Sequence, residues 1–498
     1  MNVNHEIGIL TKQLVAINSI TNTEGEVVIA DFIYDWLLEL DYFKENPSHL
    51  IKDTLANDSF GRFNVVAMIK KKEFSQSMVG IAHFDTVDIE DYGNLKPMAF
   101  DVDKLSGYHQ ADENTLYGRG ILDMKSAVAI WMKVIEYFTY HMDELSKNMV
   151  VAFVSDEENS SAGMKQFVHT LSKLKKEHNL DLEGAIDSDY TTSRYSNDPH
   201  RYVYFGSIGK LLVDISVITK ETHASDPFLG LDPNYLMANI LDELLLNPAY
   251  TDQVDQMSTP VPISLSMSNP KRQYSVKTNK IANAQVNVLT FNRSVEQWMQ
   301  LLKQGVTKAC EQAISKLNER FSVYSGNNYF ESKPIFETFD VLFKEDVIQQ
   351  KGKEDNAPSV NIQELSFNKP TVVLSLSSPY YPAHTTTKED YKFVQQVMDA
   401  IIKNYINHIM VHPYYPYISD MSFLRSPSIE MLEQVKQYSF EKDIVDDNLW
   451  DTISLLNLPM VNIGPYGYDA HKDTERLEVS SLEWVYKVLV SLFSENND

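Results

Sequence analysis

His83 and Asp85 stand at the end of an apolar run, residues 78–82, and could take part in metal chemistry. Such a run is typical of a buried strand. Because side chains alternate along a strand, His83 and Asp85 share one face, where the carboxylate can hold the second ring nitrogen of a metal-binding imidazole. An isolated His-x-Asp pair is more often an ordinary polar strand end. The acidic motifs that follow favour the metal-binding interpretation.

The strongest of these acidic motifs is the triplet Asp156-Glu157-Glu158, which directly follows the predicted strand 148–155. Two carboxylates about 4 Å apart repel each other by on the order of 4 kcal/mol at an effective dielectric constant of roughly 20. Charge runs usually lie on solvated faces, but this one leaves a buried strand. A bound cation would offset the repulsion, so the triplet indicates a metal site.

Other acids also stand beside apolar segments. Asp123 precedes a helix predicted over about 125–140, where a plain helix N-cap is an equally good interpretation. Asp187 and Asp189 end a further predicted strand. Strand ends of this kind converge at one edge of an α/β sheet, where functional residues are expected.

The composition excludes several classes of protein. The chain has 498 residues, with 69 acidic and 44 basic residues and a formal net charge of -25. This balance argues against a nucleic-acid binder, whose contact surface is basic. Cys310 is the only cysteine, which excludes an intrachain disulfide and a cysteine metal cluster. The start lacks the pattern of a signal peptide and no apolar run reaches about eighteen residues, so we expect a cytoplasmic protein without a membrane span.

The opening third of the chain alternates predicted helices and strands, which is typical of an α/β fold. The helix predicted over 24–39 has Val28, Phe32, Trp36 and Leu37 on its apolar face. A block with strands and helices of its own follows residue 209, which indicates a second domain inserted into the first. The β-rich run 371–376 is predicted to return to the main sheet. The expected division is a main domain of two parts, 1–209 and 326–498, with an inserted domain over 210–325.

In chain order the motifs are His-x-Asp, Asp, Asp-Glu-Glu, Asp and a late His. This set resembles the co-catalytic zinc deacylase and carboxypeptidase family that includes acetylornithine deacetylase, succinyl-diaminopimelate desuccinylase, aminoacylase and glutamate carboxypeptidase. The resemblance covers essentially the whole chain. Segments 205–210, 221–223, 379–382 and 418–420 are similar to the RocB-type arginine-utilisation branch. The family resemblance implies a mixed-sheet, phosphorylase/hydrolase-like zinc exopeptidase catalytic domain, formed by 1–209 and 326–498, with an inserted smaller α+β lid and dimerisation domain over 210–325.

The resemblance implies two divalent ions, of which zinc is the first expectation and manganese or cobalt the alternatives. His83 would bind one ion, Asp123 would bridge both, and Asp85 would steady His83. The other implied ligands are Glu158, Asp189 and His471. The family often has Glu-Pro-Thr where this chain has Asp189-Tyr190-Thr191, so Asp187, on the same strand face, stays the alternative ligand.

The resemblance also implies roles for three further residues. Glu157 would be the general base that takes a proton from the metal-bound water and returns it to the leaving amine. His223 would reach the active site of a partner subunit and stabilise the oxyanion, which implies a homodimer. Arg293 would bind a substrate carboxylate, although the family's usual Asp-x-Arg context is Phe291-Asn292-Arg293 here.

The expected function is therefore hydrolysis of an amide bond in an N-acyl amino acid, a dipeptide or a related small substrate, by a metal-bound hydroxide. The RocB-type likeness implies a role in arginine or amino-acid catabolism. The alternative is a catalytically silent metal-binding or regulatory relative with the same fold. Glu157 favours catalysis, because an inactive relative would most easily lose its base. His384 and His412, beside aromatic and proline-rich loops, could line the substrate pocket.

Overall fold

A computed structural model describes residues 3–254, 257–269, 275–327, 338–351, 362, 365–404 and 408–494. The chain divides into two compact units. The first unit comprises residues 1–207, 384–426 and 448–498, and the second comprises 208–383 and 427–447. Within the described ranges, no helix combines the length and the apolar character that a membrane span requires.

The first unit is built on an eight-stranded mixed sheet. In spatial order its strands are Leu50–Thr54, Phe63–Ile69, Asn148–Val154, Gln76–His83, Asp181–Asp187, Met460–Asn462, Arg201–Tyr204 and Ile409–His412. The central strands Asn148–Val154, Gln76–His83, Asp181–Asp187 and Met460–Asn462 run parallel to one another. Three of these four are apolar along most of their length and are buried, as parallel strands covered on both faces must be. This arrangement confirms the predicted α/β mixed-sheet fold.

Helices cover this sheet. They are Val3–Val15, Gly25–Leu38, Asp41–Glu45, Val102–Tyr108, Ser126–Tyr140, Ala162–Glu177, Tyr391–Lys403, Asp447–Leu456 and Ser480–Phe493. The helix Ser126–Tyr140 packs on the strand Gln76–His83, where a Cβ atom at Gly80 would lie 2.6 Å from the Trp131 ring. Gly80 therefore lets this helix approach the sheet closely. Small strands Thr115–Tyr117, Gly467–Tyr468 and Arg476–Glu478 form a separate sheet.

The second unit contains a five-stranded sheet. In spatial order its strands are Ile263–Ser268, Ile281–Thr290, Gly209–Ile218, Thr371–Tyr381 and Asp340–Leu342. Its helices are Pro233–Leu244, Val295–Asn327, Lys344–Lys351 and Ile429–Tyr438, and a short hairpin joins Gln253–Val254 to Met257–Ser258. The helix Pro233–Leu244 packs against the long helix Val295–Asn327.

Two expectations about the elements were wrong. The strand Thr371–Tyr381 pairs antiparallel with Gly209–Ile218 in the second sheet, whereas we predicted a return to the main sheet. Residues 326–383 consequently lie in the second unit, so the observed division differs from the predicted boundary at residue 325.

The helix Gly25–Leu38 buries Ile29, Ala30, Ile33 and Leu37, while Val28 is 56% exposed. The buried face is therefore rotated from the predicted one.

Candidate metal centre

Parallel strands of the main sheet bring the predicted site residues to one edge. His83 is the last residue of its strand and is in register with Val154, the last residue of the neighbouring strand. The strand on the other side ends at Asp187. The acids that follow Val154 and Asp187 in the sequence therefore emerge beside the imidazole of His83. This is the edge at which an α/β sheet carries its functional residues.

Asp123 lies between two imidazoles that are far apart in the sequence. Its Oδ1 lies 3.0 Å from Nε2 of His83, and its Oδ2 lies 3.0 Å from Nε2 of His471. Nε2 of His471 also lies 3.1 Å from Oε1 of Glu158. His83 and Asp123 are buried, whereas the side chain of His471 is 49% exposed. One carboxylate thus presents a separate oxygen to each histidine, as a residue that bridges two ions must.

The segment that carries Asp123 is held by a buried ion pair. Gly120 adopts a left-handed conformation with φ of 75°, which turns the chain into the segment Ile121–Lys125. Glu475 Oε1 accepts hydrogen bonds from the backbone N–H groups of Leu122 at 3.1 Å and Asp123 at 3.3 Å. Its other oxygen lies 2.8 Å from Nη1 of Arg119. Glu475 and Arg119 therefore position Asp123 through its backbone.

The first acid of the triplet has a structural role. Asp156 has a left-handed φ of 64°, and its Oδ1 lies 2.6 Å from Nη1 of Arg62. Its backbone N–H donates to the buried carboxylate of Glu26 at 2.9 Å, and Glu26 also pairs with Arg62 at 3.0 Å. This network fixes the turn that leaves the strand. The carboxylates of Glu157 and Glu158 are left free to face the site.

Asp85 supports the site in two ways. Its carboxylate accepts the backbone N–H groups of Glu157 at 3.1 Å and Glu158 at 3.2 Å, which fixes the second part of the triplet. Nδ1 of His83 lies 3.1 Å from the backbone carbonyl of Asp85 and 3.6 Å from its Oδ1. A proton on Nδ1 would satisfy these acceptors and leave Nε2 as the nitrogen that could bind a metal ion, as predicted for His83.

Asp187 and Asp189 are both buried at the same strand end. Burial raises the pKa of Asp189 well above its ordinary value, and the nearby carboxylate of Asp123 raises it further. Burial raises the pKa of Asp187 to about 7, against the influence of His83. Asp123 is among the main influences on the pKa of Asp189 but not on that of Asp187, which favours Asp189 as the ligand. That choice stays a prediction.

The charges of this cluster fit a cation site. Although burial opposes it, the carboxylates of Asp123 and Asp85 raise the pKa of His83 well above its ordinary value. Burial also lowers the pKa of His471, but the carboxylates of Asp123 and Glu158 outweigh it and raise that pKa to about 12. The carboxylates therefore favour positive charge at this position, whether on an imidazole or on a bound cation. Ligand atoms of His83, Asp123 and Glu158 all lie within 4.8 Å of one another, and their imidazole and carboxylate chemistry suits a divalent transition metal.

Two predicted residues lie in the second unit. His223 is exposed, and its Nδ1 accepts the backbone N–H of Ser225 at 3.1 Å. Nη1 of Arg293 lies 2.7 Å from Oδ1 of Asp252 and donates to the carbonyl of Thr251 at 2.5 Å. The roles of His223 in oxyanion binding and of Arg293 in substrate binding stay predictions.

Sequence reasoning missed several residues that surround the site. Glu475 lies in a polar stretch, 472–476, that resembles any surface turn, so no sequence signal distinguishes it. Asp420 is 2% exposed, and its carboxylate raises the pKa of Glu157, although burial raises that pKa more.

His384 and His412 were predicted from the sequence as residues that could line the substrate pocket. His384 is buried with Nε2 3.0 Å from the carbonyl of Ser422, which indicates a structural role. His412 stacks on Tyr202 at 5.1 Å between ring centroids.

Comparisons with known proteins place these features in a family. The sequence model of Peptidase family M20/M25/M40 matches residues 81–495. The chain is 29% identical to Protein RocB of Bacillus subtilis, over 96% of this chain and 92% of that one. A tripeptidase structure from Staphylococcus aureus matches with a TM-score of 0.60 and 13% identity, over 98% and 97% of the two chains. A second similar structure is that of the YxeP protein of Bacillus subtilis, described as a dinuclear metal-binding peptidase of the M20 family. It matches with a TM-score of 0.53 and 12% identity, over 98% of this chain and 97% of that chain.

Proposed function

Because this chain belongs to Peptidase family M20/M25/M40, whose members are metal-dependent hydrolases of amide bonds, we propose that its substrate is an N-acyl amino acid, a dipeptide or a related small amide. The family expected from the sequence motifs and the expected enzyme class are confirmed. The observation that carries the proposal is the carboxylate of Asp123, with one oxygen 3.0 Å from His83 and the other 3.0 Å from His471.

Two divalent ions would be held by residues of the first unit. His83 and Asp189 would hold one ion, Glu158 and His471 would hold the other, and Asp123 would bridge them. Zinc suits this set of imidazole and carboxylate ligands, and manganese or cobalt would suit it as well. Such ions supply Lewis acidity, which lowers the pKa of bound water and polarises a carbonyl group.

Glu157 would transfer the proton. Burial raises the pKa of its carboxyl well above the ordinary value, and the neighbouring Asp420, Glu158 and Asp189 act in the same direction, while His83 opposes them. A carboxylate that holds a proton readily can take one from water and return it to the leaving amine. The backbone N–H of Glu157 is fixed by Asp85 at 3.1 Å, which positions the carboxylate beside the cluster.

His223 would act in a partner subunit of a homodimer. Its Nδ1 accepts a backbone N–H from Ser225, so the proton of the neutral ring stands on Nε2. Nε2–H is exposed and could donate to an oxyanion that develops on the substrate carbonyl. This role supports the assignment of the second unit as the lid and dimerisation domain.

The arginine-catabolic role rests on the RocB-type motifs and on the similarity to Protein RocB. The catalytically silent alternative has no observation in its favour, because the base and all the predicted ligands keep their functional side chains.

The test measures amine release from N-acyl amino acids and dipeptides, with the metal-free protein and after addition of zinc, manganese or cobalt. We expect metal-dependent turnover of at least one compound. Elemental analysis should find up to two divalent ions in the native protein and fewer in the Asp123→Ala variant. Absence of turnover with every metal would contradict the proposed substrate class, and equal metal content in the two proteins would contradict the bridging role.

A further inference from the structure

Arg194 stands five residues after the candidate ligand Asp189, in the loop between the strands Asp181–Asp187 and Arg201–Tyr204. Its side chain is exposed, and its guanidinium carbon lies 6.0 Å from the ring centroid of Tyr202. Its backbone N–H donates to the carboxylate of Asp198 at 2.8 Å, and this carboxylate is also bound by Tyr202 and His200. The loop is therefore fixed through Asp198.

The guanidinium of Arg194 takes no part in the Asp198 network and forms a hydrogen bond with the side chain of Tyr204 instead. The Asp198 carboxylate lies 2.8 Å from Nδ1 of His200, and the nearby Arg201 pairs with Glu478 at 2.6 Å. In the part of the chain that the structure describes, no carboxylate lies within ion-pair distance of Arg194. An arginine whose charge is not balanced by a carboxylate can bind an anionic ligand.

A row of five tyrosine rings connects Arg194 with the metal centre. Successive ring centroids lie 5.3 to 5.9 Å apart. In order from Arg194 the rings are Tyr202, Tyr204, Tyr415, Tyr417 and Tyr190, which we call the tyrosine row. Its last member follows Asp189 in the sequence, and the hydroxyl of Tyr415 donates to the backbone carbonyl of Tyr190 at 2.9 Å. Arg194 and the candidate metal ligands are thus connected by a continuous row of rings, in which Tyr202, Tyr204 and Tyr415 are buried and Tyr417 is exposed.

The pKa of Tyr417 is influenced by charged groups at both ends of the tyrosine row. Burial raises its pKa most, Arg194 lowers it, and the carboxylates of Asp189 and Asp123 raise it. The ring is nevertheless 40% exposed. A ligand that contacts Tyr417 would therefore be close to the guanidinium on one side and to the metal ligands on the other.

Arg293, the arginine suggested by the family resemblance, differs from Arg194 because it forms an ion pair within the protein. Its guanidinium pairs with Asp252 at 2.7 Å, and the other oxygen of Asp252 accepts the backbone N–H groups of Phe291 at 2.7 Å and Asn292 at 3.0 Å. Arg293 would have to leave this pair before it could bind a substrate. Arg194 has no such pair to break.

We propose that Arg194 binds a carboxylate of the substrate, while the exposed ring of Tyr417 packs against the adjacent part of the same molecule. The inference rests on the proposed function. The planar guanidinium offers paired donors that match a carboxylate, and an aromatic ring adds contact area without charge. The carboxylate has two possible sources in this substrate class, namely the amino-acid portion and a dicarboxylic acyl group.

The test uses the amino acid that is released fastest in the panel of N-acyl compounds. Three substrates are compared: its N-acetyl derivative, the corresponding N-acetyl amino-acid amide, and the N-succinyl amino-acid amide. The Arg194→Ala variant should raise KM at least about tenfold for a substrate that carries the recognised carboxylate, because a hydrogen-bonded charge is lost. Its kcat should stay within about threefold, since the interaction is made equally in the ground and transition states. An effect on the N-acetyl acid alone identifies the amino-acid carboxylate, and an effect on the N-succinyl amide alone identifies the acyl carboxylate.

Two control variants test whether the change in KM depends on the planar guanidinium group and on its position at residue 194. Arg194→Lys keeps the charge without the planar fork, so its KM should lie between those of wild type and Arg194→Ala. Arg320 is also exposed and lies 5.8 Å from a tyrosine ring, that of Tyr235, so Arg320→Ala should leave KM unchanged.

An unchanged KM for all three substrates in Arg194→Ala would overturn the inference and leave the proposed function intact. The same conclusion would follow if only Arg293→Ala raised KM for the carboxylate-bearing compounds. If wild type hydrolyses no compound of the panel with any metal, the proposed function itself is wrong, and the inference falls with it.

Discussion

Arg119 and Glu475 form a buried ion pair with 2.8 Å between Nη1 and Oε2, although 356 positions separate them in the chain. The other oxygen of Glu475 accepts the N–H groups of Leu122 and Asp123. Burial raises the pKa of Glu475 to about 7, and Arg119 opposes that rise. Arg119 therefore limits the rise in pKa that burial imposes on this carboxyl.

The Glu475→Gln variant should bind metal about 10- to 100-fold more weakly, because residues that orient a ligand have effects of this size. Loss of one partner of a buried ion pair should also lower the free energy of unfolding by about 3 kcal/mol. Metal titration and urea denaturation measure the two effects. Glu483, which pairs with Lys487 on the surface, supplies the control: Glu483→Gln should change stability by no more than about 0.5 kcal/mol. Wild-type metal affinity in Glu475→Gln would refute the positioning role.

The Glu157→Gln variant should keep its metal and its fold while kcat falls by about 10²- to 10⁴-fold, since the amide cannot accept the proton of water. Elemental analysis, circular dichroism and turnover with the best substrate provide the measurements. Glu158→Gln is the comparison, because it should lose metal as well as activity. Turnover of Glu157→Gln within a few-fold of wild type would show that another group is the base.

Asp189→Ala and Asp187→Ala should differ in metal content, with the larger loss in Asp189→Ala. The reason is that Asp123 raises the pKa of Asp189 and is not among the main influences on the pKa of Asp187. Both variants remove one buried acid from the same strand end, so each is the control for the other. Elemental analysis after equilibration at matched free zinc decides between them. Greater loss of metal from Asp187→Ala would move the ligand assignment to Asp187.

Glu157→Ala and His223→Ala should each be nearly inactive, yet regain activity after their subunits are exchanged. If His223 acts in the partner's site, the hybrid dimer has one intact site, formed by His223 of one chain and Glu157 of the other. Random pairing makes half of the dimers hybrid, so about a quarter of wild-type activity should return. A mixture of His223→Ala with the Glu157→Ala/His223→Ala double variant contains no intact site and should stay inactive. No recovery after confirmed exchange would exclude a shared histidine.

His384 should contribute to the loss of stability in acid. Burial lowers its pKa from 6.5 to about 4, although its bond to the carbonyl of Ser422 opposes that shift. Between these values the unfolded chain binds the additional proton, so the contribution is complete above pH 6.5 and is lost as the pH falls towards 4. His384→Asn should reduce the decline of the unfolding free energy by about 1.4 kcal/mol per pH unit in this range.

Urea denaturation of wild type and His384→Asn at several pH values between 4 and 7 measures this slope. His5→Gln is the control, because His5 is exposed and its replacement should leave the slope unchanged. Parallel curves for wild type and His384→Asn would rule out the proposed contribution.

Local patterns in the sequence were enough to predict the strands whose ends carry the candidate site residues. The apolar run before His83 and the one before Asp156 have the length and composition of buried strands, and both are strands in the structure. The acids that follow such strands must meet at one edge, because parallel neighbours end there together. The family motifs then indicated which acid has which role, and the chain's membership in that family is confirmed.

The tertiary structure decided what depends on partners distant in the sequence. The run 371–376 has the composition of a buried strand in either sheet, and only its pairing with Gly209–Ile218 assigns it to the second unit. Val28 and Ile29 are both apolar residues of one helix, and the neighbouring core determines which of them is buried. In the sequence Glu475 is an ordinary acid in a polar stretch, and only the folded structure places its carboxylate 2.8 Å from Nη1 of Arg119. Periodicity and strand ends are properties of consecutive residues, whereas sheet order, buried faces and ion pairs are set by packing between segments that the sequence keeps apart.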